Sequence, residues 1–219
     1  IRLPELNNSG STEKPIDKGS TLNIAVEINK PSAREEMARC ALELFGINGY
    51  KQTTIAEIAR LAGYHVQTFY RHFSSKEELV AEIWRQSYEQ FKTHFESRGN
   101  LSAIDSWRNY VKENAKLVTA DSHAWGLDDQ FSIPVLTAEC QSYQDQYRTL
   151  LAEGIAQDLN VNSKNNIQPM LLACTLFDGN SVTARQWVGK KFNKKAYMES
   201  LLRVVDETKL LFDQLKTKY

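Results

Sequence analysis

After residue 30 the apolar positions recur every three or four residues, the period of a helix with one buried face. Ser32, with Glu35 three residues on, forms a capping box and opens the first helix. Met37, Cys40, Ala41, Leu44, Phe45 and Ile47 line its apolar face, and Gly46 and Gly49 are expected to end it. Thr54 and Glu57 cap a short second helix, on which Ile55, Ile58, Ala59 and Ala62 share one face. Gly63 supplies the backbone freedom of a sharp turn. A third short helix runs from His65 to about Arg71. Ser75 and Glu78 cap a fourth, whose stripe of Leu79, Val80, Ile83, Trp84, Tyr88, Phe91 and Phe95 continues to about Arg98.

Leu101, Ile104, Trp107, Val111, Ala115 and Val118 make the next amphipathic helix. Residues 121–129 interrupt the period. Ser132 and Pro134 are expected to open a long helix carrying Leu136, Cys140, Tyr143, Tyr147, Leu151 and Ile155, which the polar run 160–166 ends. Two last helices are expected over 167–188 and 194–216. The final stripe is wider than one contact requires, so this helix is expected to pack on two sides. Residues 1–30 mix Gly, Ser, Thr, Asn, Pro and balanced charge and read as a flexible N-terminal extension. The fold class is therefore all-α. A three-helix domain over residues 31–78 is followed by a larger helical domain over residues 79–219. The fourth helix is too long to be buried in a domain of ~50 residues, so it must enter both cores.

Residues 53–76 have the layout of a helix-turn-helix: two short helices joined by a tight turn that contains glycine. Their charge agrees. No Asp or Glu lies between Ile58 and Lys76, whereas Arg60, Arg71 and Lys76 do. Gln67, Thr68, Tyr70 and His65 are the polar side chains that can hydrogen-bond phosphates or base edges. A plain helical hairpin in an all-α core has the same pattern.

The run ALELFGINGYKQTTIAEIARLAGYHVQTFYRHFSSKEELV, residues 41–80, resembles the N-terminal DNA-binding domain of the tetracycline-repressor-like (TetR) family. The matching features are Ala41, Leu44-Phe45, Gly49-Tyr50, Thr53-Thr54-Ile55, Ile58-Ala59, Ala62-Gly63, Thr68, Tyr70, His72-Phe73, Lys76 and Leu79. Tyr64 stands where the family usually has a small aliphatic residue, and His65 where it usually has a Ser-like cap. The resemblance implies a homodimeric transcriptional regulator, typically a repressor, that binds palindromic double-stranded DNA. It also implies contacts: Thr53 or Thr54, Tyr70 and Lys76 to phosphates, and Val66, Gln67 and Thr68 toward the major groove. Gln67 is the candidate for base readout, since its amide can pair with adenine. The last two helices should form a four-helix dimer interface, with Gly179, Val182, Leu201, Val205 and Leu211 as its expected residues. A monomer core would give a similar stripe.

Composition changes this picture little. The chain has 219 residues, no net formal charge and an ordinary apolar content. Neutrality is mild contrary evidence for nucleic-acid binding, so the local charge of the contact face must carry it. No apolar run approaches the ~20 residues of a membrane span, and no charged-then-apolar secretory signal opens the chain, so a cytoplasmic location is expected. The three cysteines, Cys40, Cys140 and Cys174, are far apart and lie in apolar stripes, which reads as packed free thiols. Asp121, His123, Asp128 and Asp129 carry metal-ligating chemistry without ligand spacing, so a solvated loop is preferred. No G-x-S-x-G, H-E-x-x-H, phosphate loop or dinucleotide fingerprint occurs, so neither catalysis nor a cofactor is expected.

The larger domain is rich in aromatics: Trp107, Tyr110, Trp125, Phe131, Tyr143, Tyr147 and Phe177. Asp178, Ser181, Arg185 and Gln141 lie beside them and are costly to bury unpaired. A ligand pocket between helices would accommodate both sets. The alternative is a core of aromatics with the polar groups at the dimer interface. With no basic cluster in this half, an aromatic or amphipathic effector is expected rather than a sugar phosphate. The competing functional reading is a regulator of the same fold that is ligand-independent or controlled by a protein partner.

Overall fold

The computed structural model describes residues 31–117, 137–187 and 191–218. The extension at residues 1–30, the loop acids with His123, and the pocket candidates Trp125 and Phe131 lie outside the described residues, as does the helix start at Ser132 and Pro134. Eight helices make up the described residues, with no strand among them: α1 (Ala33–Asn48), α2 (Ile55–Leu61), α3 (Val66–His72), α4 (Lys76–Glu96), α5 (Ala103–Leu117), α6 (Ala138–Asp158), α7 (Gln168–Arg185) and α8 (Lys194–Lys216).

Local chemistry sets the ends of these helices. Ser32 and Thr54 each complete a reciprocal capping box, with Glu35 and Glu57 respectively. At α4 the box is only half made. The Ser75 hydroxyl accepts from the Glu78 amide, while the Glu78 carboxylate turns to the amide and hydroxyl of Ser74. Gly46 does not end α1, which runs on to Asn48. Gly49 ends it at φ 81°, a backbone region that favours glycine.

Helices α1, α2 and α3 close on Met37, Ala41, Phe45, Ile58, Phe69 and Phe73, all buried. The apolar core continues from there along α4, through Leu79, Val80 and Ile83, to Phe91 and Phe95. Helix α4, at 21 residues, thus packs on α1 at one end and on α5 and α6 further along, as its length requires. Helix α6 lies along α7, α7 along α8, and α8 returns to α5. The ion pairs Arg108–Asp206 and Lys209–Asp105 tie α5 to α8. Two glycines mark close approaches. A Cβ on Gly154 would stand 2.5 Å from the Phe95 ring, and one on Gly179 would stand 2.8 Å from Val204.

The expected interface residues divide. Leu201 and Val205 belong to the subunit's own core, at 6% and 0% exposure, so their assignment to a dimer surface is corrected. Gly179 is occupied by the intramolecular α7–α8 contact. Val182 and Leu211 remain 44% and 50% exposed. Helix α8 does face two ways, and periodicity gave no means of telling which face is turned inward.

Candidate nucleic-acid interface and interhelical cavity

The α2–α3 turn is closed by the backbone. The Tyr64 amide donates to the Ala59 carbonyl at 2.8 Å and the Gly63 amide to Arg60 at 3.1 Å, with Gly63 at φ +77°. This pair of bonds needs a left-handed residue at position 63, which glycine adopts without strain. Tyr64, the departure from the family pattern, is half-buried and packs on the core. His65 caps α3 by backbone conformation alone and makes no side-chain cap bond.

Helix α3 is held by Phe69, which is fully buried, and by Phe73 just beyond it. Its exposed side chains are Gln67, Tyr70 and Arg71, with His65 at the start; Val66 and Thr68 are half-buried. Arg60 on α2 and Lys51 and Gln52 before it are exposed as well. The charge pattern pointed to Arg60 and Arg71 as cations of this region, but no contact was assigned to either. Both are exposed on the same pair of helices.

Two of the expected phosphate contacts turn inward. Thr53 is buried, and its hydroxyl donates to the carbonyls of Gly49 at 2.8 Å and Leu44 at 3.1 Å. Its side chain closes the α1–α2 turn and is not offered to DNA. The Lys76 ammonium donates to the carbonyls of Tyr50 at 2.6 Å and Thr53 at 3.0 Å and lies 4.0 Å over the Tyr50 ring. Its charge answers the ends of backbone dipoles, which makes Lys76 a clamp between the turn and α4 whatever it meets on DNA. Thr54 stays exposed, with its hydroxyl shared with Glu57. The Tyr50 hydroxyl donates to Glu77 at 2.7 Å, and this bond leads the causes that hold the Glu77 carboxyl low. Burial pushes the Tyr50 phenol well up.

A second feature lies where α1 meets the larger body. A half-open cavity of about 460 Å³ lies between α1, α4, α5, α6 and α7. Trp107, Tyr110, Tyr147 and Phe177, four of the expected pocket residues, line it, and so does Ser181. Tyr143 and Asp178 do not, which corrects their assignment. Tyr143 lies against the Tyr88 ring, and Asp178 is paired with Arg148 at 2.6 Å. The wall also takes Ala38, Arg39 and Leu42 from α1 and Gln86, Ser87 and Gln90 from α4. These were not legible as pocket residues, because only tertiary packing brings α1 to the aromatics of α5–α7. Tyr147 stacks on Phe91 at 4.9 Å and lies 5.0 Å from Phe177. Its hydroxyl is 2.8 Å from the Ser87 hydroxyl, with Tyr110 lining the same wall. Burial pushes both phenols upward, so both stay protonated. Trp107 donates to Asn180, which in turn donates to the Leu201 carbonyl.

A short helix with exposed amide, phenol and guanidinium groups, set after a glycine turn on a buried aromatic base, defines a helix-turn-helix DNA-binding protein. A family profile described as "Bacterial regulatory proteins, tetR family" matches residues 39–83. The regulator TcmR of Streptomyces glaucescens is 28% identical over 167 residues, 70% of this chain and 72% of its own. The repressor KstR2 of Mycolicibacterium smegmatis is 41% identical over 54 residues, so the chain spans only 26% of that relative. A tetR-family regulator from Streptomyces coelicolor superposes with a TM-score of 0.65 at 17% identity, covering 85% of this chain and 87% of its own. The matched segment, residues 39–83, is a TetR-family DNA-binding domain, which makes the chain a DNA-binding transcriptional regulator similar to those relatives. Among the described residues no group of side chains is arranged to hold a metal ion, and no helix is long and apolar enough to cross a membrane.

Proposed function

We propose that this protein is a cytoplasmic homodimeric repressor that leaves a palindromic operator when a small aromatic or amphipathic molecule enters the cavity. Residues 31–78 are then the DNA-binding domain and residues 79–219 the effector and dimerisation domain. One observation carries the reading: the cavity is walled by α1 and α4 on one side and by α5, α6 and α7 on the other. A molecule that fills it must touch both the three-helix unit and the body. Aromatic faces and neutral hydroxyl and amide groups dominate its lining. Arg39, the one cation among its described lining residues, is already paired with Glu36 and Glu43. That chemistry favours an uncharged ring system bearing oxygen.

Helix α3 is the recognition helix, with Gln67 reading bases and Tyr70, Arg71 and Arg60 meeting the backbone. The dimer reading is supported by Leu171 and Val182 on α7 and Leu210 and Leu211 on α8, apolar residues that are 44–59% exposed. Two such helices from each subunit would bury them in an isologous contact. Displacing α4 would change the spacing of two recognition helices that must match one turn of DNA, ~34 Å, or a multiple. A coupling of ~1–3 kcal/mol suffices.

The test is a screen of neutral aromatic compounds by thermal shift, followed by release of a duplex selected from random sequence by the wild-type protein. Tyr147→Ala and Phe177→Ala should abolish the response to an active compound. An unchanged response in both variants would place the effector elsewhere.

A further inference from the structure

Helix α3 has seven residues, too few to hold its own direction in water. Tertiary contacts must aim it. Among the described residues, Arg34, from the first turn of α1, is the side chain that hydrogen-bonds its C-terminal end. The Arg34 guanidinium donates through Nη1 to the His72 carbonyl at 2.5 Å and lies 4.4 Å over the ring of Phe73. A cation at a helix C-terminus is favourably placed. Through Nε the same group donates to Glu82 on α4 at 2.9 Å, and Glu78 stands 3.6 Å from Nη1. The Glu82 side chain is only 2% exposed. Its other oxygen accepts from Arg85 at 2.6 Å and from the Gln86 amide at 2.9 Å. Gln86 lines the cavity.

We infer that Arg34 is the positioning residue of the recognition helix, and that Gln86 and Glu82 connect it to the cavity by an unbroken run of hydrogen bonds. The cavity end of this inference rests on the effector reading above, and the Arg34 end does not. A buried carboxylate cannot lose a partner cheaply, so the bonds around Glu82 are interdependent. A molecule that draws the Gln86 amide toward itself leaves Glu82 to its two arginines. Arg85 already bonds both carboxylate oxygens, so the three side chains must share the charge anew, and the hold of Arg34 on the His72 carbonyl changes with it. The planar fork of arginine serves three directions at once, which a lysine ammonium at the same position cannot reproduce.

Three full-length variants test this without an effector: Arg34→Lys, Glu82→Gln and Gln86→Leu. Hydrogen exchange is measured over residues 66–73 and over α5, together with affinity for the duplex selected by the wild-type protein. Arg34→Lys and Glu82→Gln should speed exchange in α3 by about 10-fold and Gln86→Leu by about 3-fold, with α5 unchanged. Arg34→Lys should also weaken the selected duplex by about 10-fold while leaving the salt slope as in wild type, because no phosphate contact is lost. Unchanged α3 exchange and unchanged affinity in Arg34→Lys would overturn the positioning role. So would exchange that rises equally in every helix, which marks general destabilisation. Wild-type exchange in Gln86→Leu would overturn the link to the cavity. If no compound releases DNA yet the three variants behave as stated, the effector reading fails and the Arg34 role stands.

Discussion

Replacing Lys76 with methionine separates two roles that the sequence could not. Methionine keeps an apolar stem of similar length and removes only the ammonium. In the free protein that group makes two charge-assisted bonds, to the carbonyls of Tyr50 and Thr53, and covers the Tyr50 ring. Hydrogen bonds to a charged group contribute about 1.5–3 kcal/mol each, and a cation over an aromatic ring about 0.5–1 kcal/mol. The two bonds share one ammonium on a half-buried side chain, so their sum is below the simple total. A loss of about 2–3 kcal/mol is expected, which for a chain of this size lowers Tm by roughly 5–10 °C. Urea unfolding should show a lower midpoint with an unchanged m-value. The second assay is the salt dependence of binding to the selected duplex. A lysine that neutralises a phosphate contributes about one unit to the slope of log K against log salt per subunit. A clamp contributes none, so Lys76→Met should keep the wild-type slope. Unchanged Tm with a slope flattened by about one unit would refute the clamp and restore the phosphate contact.

Four further outcomes are expected. Gln67→Ala should relax preference at one base pair, by about 1–3 kcal/mol of discrimination, and equal loss on specific and random DNA would reject its role. Leu211→Glu should yield a folded monomer by sedimentation at micromolar concentration, whereas an unaltered dimer would move the interface elsewhere. In Gly154→Ala the new methyl meets the buried Phe95 ring at 2.5 Å. Overpacking of about 1–3 kcal/mol should exceed the helix-propensity gain of up to ~1 kcal/mol, and a stabilised variant would show that the ring yields. Burial alone would raise the Glu82 carboxyl, but bonds from Arg85, Gln86 and Arg34 hold it at about 2 against an ordinary value of 4.5. Its folded value is depressed, so its contribution is complete above pH 4.5 and is lost as pH falls toward about 2. The urea midpoint of wild type should fall over that window by the equivalent of about 2–3 kcal/mol. Glu82→Gln should lose that part of the pH dependence, and an identical pH profile would deny the pairing.

The helical plan was legible because it rests on local chemistry. The Ser32 and Thr54 boxes, the Gly63 turn and the period of each stripe all act within four residues. The inner end of a side chain was not. Thr53 and Lys76 match a DNA-binding motif, yet both turn toward backbone carbonyls that come close only after α1, α2 and α4 pack. Leu201 and Leu211 carry the same periodic signal on one helix, and only the position of α5 and α7 decides that the first is core and the second exposed. The cavity was half legible. Its aromatics announced themselves by abundance, but Arg39 reaches it from the first helix of the DNA-binding domain, and Gln86 from the helix that joins the two cores.

The hydroxyls of Ser87, Tyr147 and Tyr110 have no fixed direction. Each can give its proton or receive one, and the Ser87–Tyr147 bond is equally good either way round. A molecule presenting a carbonyl to this group would set the protons running toward itself. One presenting a hydroxyl would reverse them, and neither would strand a buried polar atom. If the proposed effector binds there, a ketone and an alcohol would be accepted alike at that point, and discrimination would fall to outline: to what fits between Trp107, Tyr147 and Phe177.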